Sequence, residues 1–325
     1  MSINHSKFLI FTDCGSQIGF GHFNRCTSIK TQLELNDIEV LMEVYDDRNG
    51  SELRVDWKDS WSTLVDKYKI SNLLFDSFRV DENFFKDLIR LKKNIFVIDD
   101  FPERNYQEGT IINYTIGAES NSFLIRNPKV NYLLGAKYCC IRPEFYEKKY
   151  YKNYSKSNIL VTFGGADIRQ LSFPITKYLS TNYPEFNINL VLGSGAKKSD
   201  YSLFENVMIH HNCDAEKMCQ LMDDAQFAIC GGGQTLYEMA SRGLPPIIIP
   251  LIDNQLADIQ GFVSRGFGLE ALSWDQPDLL KSIDIAIHRI LDSKMRANHS
   301  ATGRKLIDGK GLKRLVSAII KTSQR

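Results

Sequence analysis

Residues 11–25 read FTDCGSQIGFGHFNR, and the fold is decided there. The apolar run Phe8-Leu9-Ile10-Phe11 stops at Thr12-Asp13. Gly15, Gly19 and Gly21 follow, then His22, then a helical pattern in which Arg25, Ile29 and Leu33 recur every four residues. A strand that passes through a glycine-rich turn into a helix N-terminus lets backbone N–H groups come close to a phosphate. A histidine in the first helical turn can move protons near neutral pH. The same residues also fit a plain tight turn with a histidine capping the helix.

Outward from this turn, short apolar runs alternate with amphipathic ones. Strands are expected at Phe8–Thr12, Ile38–Val44, Asn72–Asp76, Ile95–Asp99, Thr110–Asn113 and Tyr132–Leu134, with helices near 23–35, 61–68 and 82–93. The polar stretch EKKYYKNYSK, Glu147–Lys156, reads as a solvated linker. The alternation then restarts: strands at Asn158–Phe163, Asn187–Leu192, Val207–His210, Phe227–Ile229 and Pro246–Pro250, helices near 171–180, 215–223 and 235–241, and a mostly helical tail over 278–325. Alternating strands and helices define an α/β chain with parallel sheets. Two Rossmann-like domains are expected, 1–147 and 148–325, facing across a cleft. Ligands of such sheets bind beyond the C-terminal strand ends.

Composition narrows the function. The 325 residues hold 40 basic and 39 acidic side chains, net +1, which disfavours a general nucleic-acid surface. No run of 18 apolar residues predicts a membrane span, and the N-terminus lacks the apolar region of a signal peptide. Seven cysteines without zinc-type pairing read as reduced, mostly buried thiols of a cytoplasmic protein.

Three further clusters carry chemistry. In Thr162–Asp167, Gly164, Gly165 and Asp167 suggest a loop-to-helix anion site, although Asp167 also suits an ordinary N-cap. Cys230–Glu238 places Gly231, Gly232 and Gly233 before a helix that begins Gln234-Thr235. Thr235 offers a hydroxyl to a phosphate, and Glu238, one turn on, is suited to a ribose diol. Asn254 and Gln255 follow the strand ending at Pro250, as cleft amides or as a turn. His210-His211 lack a third metal ligand, and Asp99-Asp100 is the remaining acid pair at a strand end. Trp57 and Trp61 near Lys58 are the only hint of a membrane-facing patch.

In their joint order these motifs resemble a known family. GGGQTLYEMASRGLPPIIIPLIDNQ (231–255) resembles the nucleotide-sugar half of GT-B glycosyltransferases of the MurG type. DCGSQIGFGHFNR (13–25) closely resembles the N-terminal motif of the PseG/SpsG family, which includes the UDP-sugar hydrolase of pseudaminic acid biosynthesis. Leu134-Gly135, Ile141–Phe145 and Val161–Asp167 extend the match over residues 8–265. The resemblance implies a GT-B-like fold and hydrolysis of a UDP-linked diacetamido-trideoxyhexose, with no metal and no cofactor. It implies His22 as the base that activates water, Asp13 as the family's acidic residue at the same strand end, and Thr235 and Glu238 as holders of diphosphate and ribose. The candidate site is then His22 and Asp13 for catalysis, with Gly19, Gly21, Arg25, Gly164, Gly165, Asp167, Gly232, Gly233, Gln234, Thr235, Glu238, Asn254 and Gln255 around the substrate. One departure stands out: Phe78 occupies the place of a tyrosine in the pseudaminic hydrolase. A GT-B transferase using a UDP-sugar donor is the alternative, and a non-catalytic nucleotide-sugar-binding module a third reading.

Overall fold

The computed structural model describes residues 7–15, 18–48, 56–100, 104–120, 127–147, 157–165, 167–197 and 199–324. The chain forms two compact units, one of Met1–Cys140 with Lys310–Arg325, the other of Ile141–Gly309. The expected boundary at 147/148 is therefore displaced, and the helical tail is divided between the units. The linker expected at Glu147–Lys156 starts at the last residue of a short helix; 148–156 lie outside the described residues.

In the first unit the strands are β1 (Phe8–Cys14), β2 (Val40–Asp46), β3 (Asn72–Asp76), β4 (Asn94–Ile98), β5 (Gly109–Asn113) and β6 (Val130–Leu134). They form a parallel sheet in the order β2-β1-β3-β4-β5-β6. Central strand β1 is buried throughout, as a parallel strand covered on both faces must be. The strand order reverses between β1 and β3, whose register pairs Thr12 with Asp76. Asp13 and Asp76 therefore emerge side by side at the crevice where open α/β sheets bind ligands.

Helices α1 (Gly21–Glu34), α2 (Trp57–Tyr68) and α3 (Glu82–Ile89) connect these strands. Asp56 and Asp81 cap α2 and α3 by accepting from Lys58 N and Phe84 N. Trp57 is buried and stacks near Phe11, with ring centroids 5.1 Å apart; Trp61 packs on the same core. Trp57 thus fills the interior, and the half-buried Trp61 packs against it from the edge of the core.

The second unit holds β7 (Asn158–Thr162), β8 (Asn187–Leu192), β9 (Val207–His211), β10 (Phe227–Gly231), β11 (Pro246–Ile249) and β12 (Leu269–Glu270), in the parallel order β12-β11-β10-β7-β8-β9. Its reversal lies between β7 and β10, so Gly164-Gly165 and Gly231–Gly233 leave the sheet there. Its helices are α4 (Glu144–Glu147), α5 (Ser172–Asn182), α6 (Ala215–Asp224), α7 (Gln234–Arg242), α8 (Leu256–Ser264), α9 (Leu279–Ile290) and α10 (Ser293–Leu306). The last helix, α11 (Gly311–Ser323), packs on α1 and β4 of the first unit, where Asn94 Nδ2 donates to Ser323 O at 3.2 Å.

Candidate active site

The glycine turn after β1 is closed on itself. Gly15 N donates to Gly19 O at 3.1 Å and Gly19 N to Gly15 O at 2.9 Å, while Ile18 N donates to Asp47 Oδ2 at 3.0 Å. Gly15 and Gly19 have φ of +145° and +82°, conformations that favour glycine. Residues 16–17 of this turn lie outside the described residues. Among the described residues of the turn, the amides of Gly15 and Gly19 are used within it and that of Ile18 by Asp47, which adds a negative charge against it. Gly19 shapes the chain, and Gly21 begins α1, which has no side-chain cap and no acid in its first turn.

His22 follows at once, its side chain 10% exposed. Its Nδ1 lies 3.3 Å from the Asp76 backbone oxygen and 3.3 Å from Asp76 Oδ1. Phe78 stands edge-on to the imidazole, with centroids 4.3 Å apart. Asp13 lies close enough to His22 to feel its charge, while its hydrogen bonds go to other groups. Its carboxylate accepts from Trp57 Nε1 at 3.0 Å and from Ser77 Oγ, with Arg79 Nη1 at 3.6 Å. Burial pushes the Asp13 carboxyl above its ordinary range, against the pull of Ser77, Arg79 and Trp57.

Arg25 was expected at the substrate, but its guanidinium turns inward. Nε and Nη2 both donate to the Asp76 carboxylate, and Nη1 donates to Tyr114 at 2.7 Å and reaches Asp100 at 3.4 Å. Cys26 Sγ also donates to Asp76, at 3.5 Å. Asp99 lies apart from these, accepting from Tyr106 OH.

In the second unit, Asp167 proves to be a cap. Its oxygens accept from Leu171 N at 2.9 Å and Ser172 N at 3.0 Å, placing its own carboxylate at the start of α5. Gly164 is exposed with φ +78°; Gly165 O accepts from Gly195 N at 2.9 Å, and a Cβ on Gly193 would lie 2.3 Å from that same oxygen. Ala166 lies outside the described residues.

The triple glycine divides its work. A Cβ on Gly231 would meet Leu251 Cδ1 at 2.6 Å, and one on Gly232 would meet Ile259 Cγ1 at 2.6 Å, so both are packing glycines. Gly233 is exposed and precedes α7, whose N-terminus has neither a side-chain cap nor an acid in its first turn. The positive end of the helix macrodipole is unopposed there. Gln234 and Thr235 are half-buried in that first turn. Gln255 is a strut: its Oε1 accepts from Gly232 N at 3.1 Å and Leu251 N at 3.2 Å. Asn254 is exposed beside it, in a single 3-10 turn.

Glu238 is buried and accepts from Arg142 Nε at 2.9 Å. Burial pushes its carboxyl above the ordinary range, against the pull of Arg142. Arg142, inside the matched stretch Ile141–Phe145, and Asp76, at the end of an expected strand, are the partners that spacing did not single out as site residues, because each lies far from its mate in sequence. His210 bonds Asn189 Oδ1 at 2.9 Å, a structural contact. Among the described residues no three His, Cys, Asp or Glu side chains gather to hold a metal.

The fold is that of GT-B glycosyltransferases. MurG of Acinetobacter baumannii superposes with a TM-score of 0.63 at 14% identity over 97% of this chain and 99% of its own. A glycosyltransferase of kitacinnamycin superposes with a TM-score of 0.71 at 10% identity, over 98% and 99%. In sequence, the chain is similar to the spore coat polysaccharide biosynthesis protein SpsG of Bacillus subtilis, 25% identical over 96% of each chain. It is also similar to the Helicobacter pylori protein named pseudaminic acid cytidylyltransferase and UDP-2,4-diacetamido-2,4,6-trideoxy-beta-L-altropyranose hydrolase, 26% identical over 79% of this chain. An uncharacterized protein of Methanocaldococcus jannaschii is 28% identical over 77% of this chain. The chain spans 47% of the Helicobacter protein and 56% of the archaeal one. No protein-family model matches it. No helix among the described residues is long and apolar enough to cross a membrane.

Proposed function

We propose that this protein is a cytoplasmic hydrolase that cleaves a UDP-linked diacetamido-trideoxyhexose to UDP and the free sugar, in the making of a nonulosonic-acid-type surface glycan. The observation that carries the reading is His22, held by Nδ1 in the first turn of α1 at the strand-order reversal. The name of the Helicobacter relative supports the substrate class, and that of the Bacillus relative a role in polysaccharide biosynthesis. The second unit holds UDP, with the diphosphate at the α7 N-terminus near Gly233 and Thr235, and the ribose at Glu238. His22 of the first unit takes a proton from water through Nε2. The water oxygen bonds to the anomeric carbon as the bond from that carbon to the UDP oxygen breaks, and the electron pair leaves with UDP. UDP is a good leaving group, so the protein's main task is to raise the nucleophilicity of one water. Direct displacement inverts the anomeric centre. Helix and loop amides oppose the diphosphate charge, and no metal is required. Asp13 holds the strand end together through Trp57 and Ser77, and Phe78 forms a wall beside His22 without a proton to give.

The test is a panel of UDP-sugars incubated without any acceptor, in EDTA, with products identified by NMR. UDP and an inverted free sugar carrying ¹⁸O from labelled water are expected. UDP release that depends on an added sugar or lipid acceptor would identify a transferase instead.

A further inference from the structure

We infer that Asp76 is the positioning residue of His22, and that Arg25, buried behind it, locks Asp76 in place. This rests on His22 being the base, but its geometry can be tested without turnover. Nδ1 of His22 faces two acceptors, the Asp76 carboxylate and the Asp76 backbone oxygen, each at 3.3 Å. A ring nitrogen between two acceptors carries the proton, which leaves the lone pair on Nε2. Nε2 of a neutral histidine can accept a proton from water only in that tautomer.

Asp76 is fully buried, and it does not hold this place alone. The two-pronged contact from Arg25 Nε and Nη2 fixes the carboxylate plane. Arg25 is itself tied to Tyr114 and Asp100. Other titratable groups near the dyad are Cys26 on α1, Asp13 at the end of β1, and Cys140, which lies near both Arg25 and Asp76. When His22 becomes an imidazolium, its charge forms beside Asp76, while Arg25 already balances part of that carboxylate.

The experiment is ¹⁵N NMR of the whole chain labelled at histidine, with the His22 signal identified by its loss in His22→Asn. The neutral ring is expected to carry its proton on Nδ1. An Nε2–H ring in the unaltered protein would overturn the inference, and this measurement needs no variant to fold. In Asp76→Asn one of the two side-chain oxygens becomes an amide NH2 that cannot accept, so Arg25 and His22 compete for the single remaining oxygen, Nδ1–H keeps only the backbone oxygen as a second acceptor, and the Nε2–H form is expected to rise. The turnover number should fall on the order of 10²–10⁴-fold, as expected for a base held in the wrong tautomer, with KM changing far less. An unchanged tautomer in Asp76→Asn would overturn the positioning role. A shifted tautomer with unchanged turnover would keep the positioning role and remove His22 as the base.

Discussion

Glu238 and Arg142 form a buried ion pair, Oε1 to Nε at 2.9 Å, with side chains 4% and 29% exposed. The pair joins the start of the second unit to the helix that follows its triple glycine. One carboxylate oxygen is engaged by Arg142, and ribose hydroxyls would donate to the same group. Glu238→Ala is expected to weaken UDP binding by about 1–3 kcal/mol, the scale for losing a hydrogen bond to a charged group. Unchanged UDP affinity by calorimetry in the folded variant would take Glu238 out of the nucleotide site.

The same residue gives a pH signature. Burial raises the Glu238 carboxyl above its ordinary value of 4.5, so from there up to its folded value the native state binds more protons than the unfolded chain. Its contribution to stability therefore falls as pH rises through that window. Glu238→Gln lacks this titration. The difference in Tm, variant minus parent, should become more favourable to the variant between pH 4.5 and neutrality. Calorimetric scans at several pH values would show it; a constant or declining difference would contradict the burial argument.

His22→Asn should keep the fold and UDP affinity while lowering the turnover number by roughly 10²–10⁴-fold, the usual range for general acid–base catalysis. Steady-state kinetics with calorimetry on one preparation measures both. Near-normal turnover would mean that another group activates the water.

Arg25→Ala should leave Asp76 a buried carboxylate without its guanidinium, with His22 and Cys26 beside it. Breaking a buried pair in this way costs about 3–5 kcal/mol, and urea unfolding would report it. A loss below about 1 kcal/mol, the scale of an exposed pair, would place Arg25 in solvent rather than in the interior.

Gly193→Ala tests the turns after β7 and β8. Its Cβ would lie 2.3–2.5 Å from backbone atoms of Gly165, so the two loops must move apart. Overpacking of this kind costs about 1–3 kcal/mol. A variant as stable as the parent would show that the loops separate freely.

Much of this architecture is legible in the chain. The runs Phe8–Phe11, Asn72–Asp76 and Asn187–Leu192 are apolar and abrupt, and each is a strand. The two-residue β12 and the helix α8 escape notice, because two residues carry no period and α8 is apolar on most sides. His22 is visible because glycines frame it. Its partner Asp76 is not, since sheet register joins them across 54 residues. Glycine runs reveal where the backbone is tight but not why: Gly231 and Gly232 are small to admit Leu251 and Ile259, and Gly15 and Gly19 close their turn by a reciprocal pair of hydrogen bonds. Asp167 shows the same ambiguity, resolved in favour of the cap.

The return of α11 to the first unit makes the second unit an insertion in the chain of the first. Residues 141–309 form one uninterrupted segment, whereas the first unit is assembled from two pieces. During synthesis the second unit has all its residues before the first can complete its helical layer. A Cβ on Gly311 would strike Cys139 N and O at 2.7 and 2.3 Å, so the late-arriving helix is seated against the residues that precede the insertion. The segment 141–309 is accordingly the natural single-piece fragment, and a cut after 309 removes the final piece of the other unit.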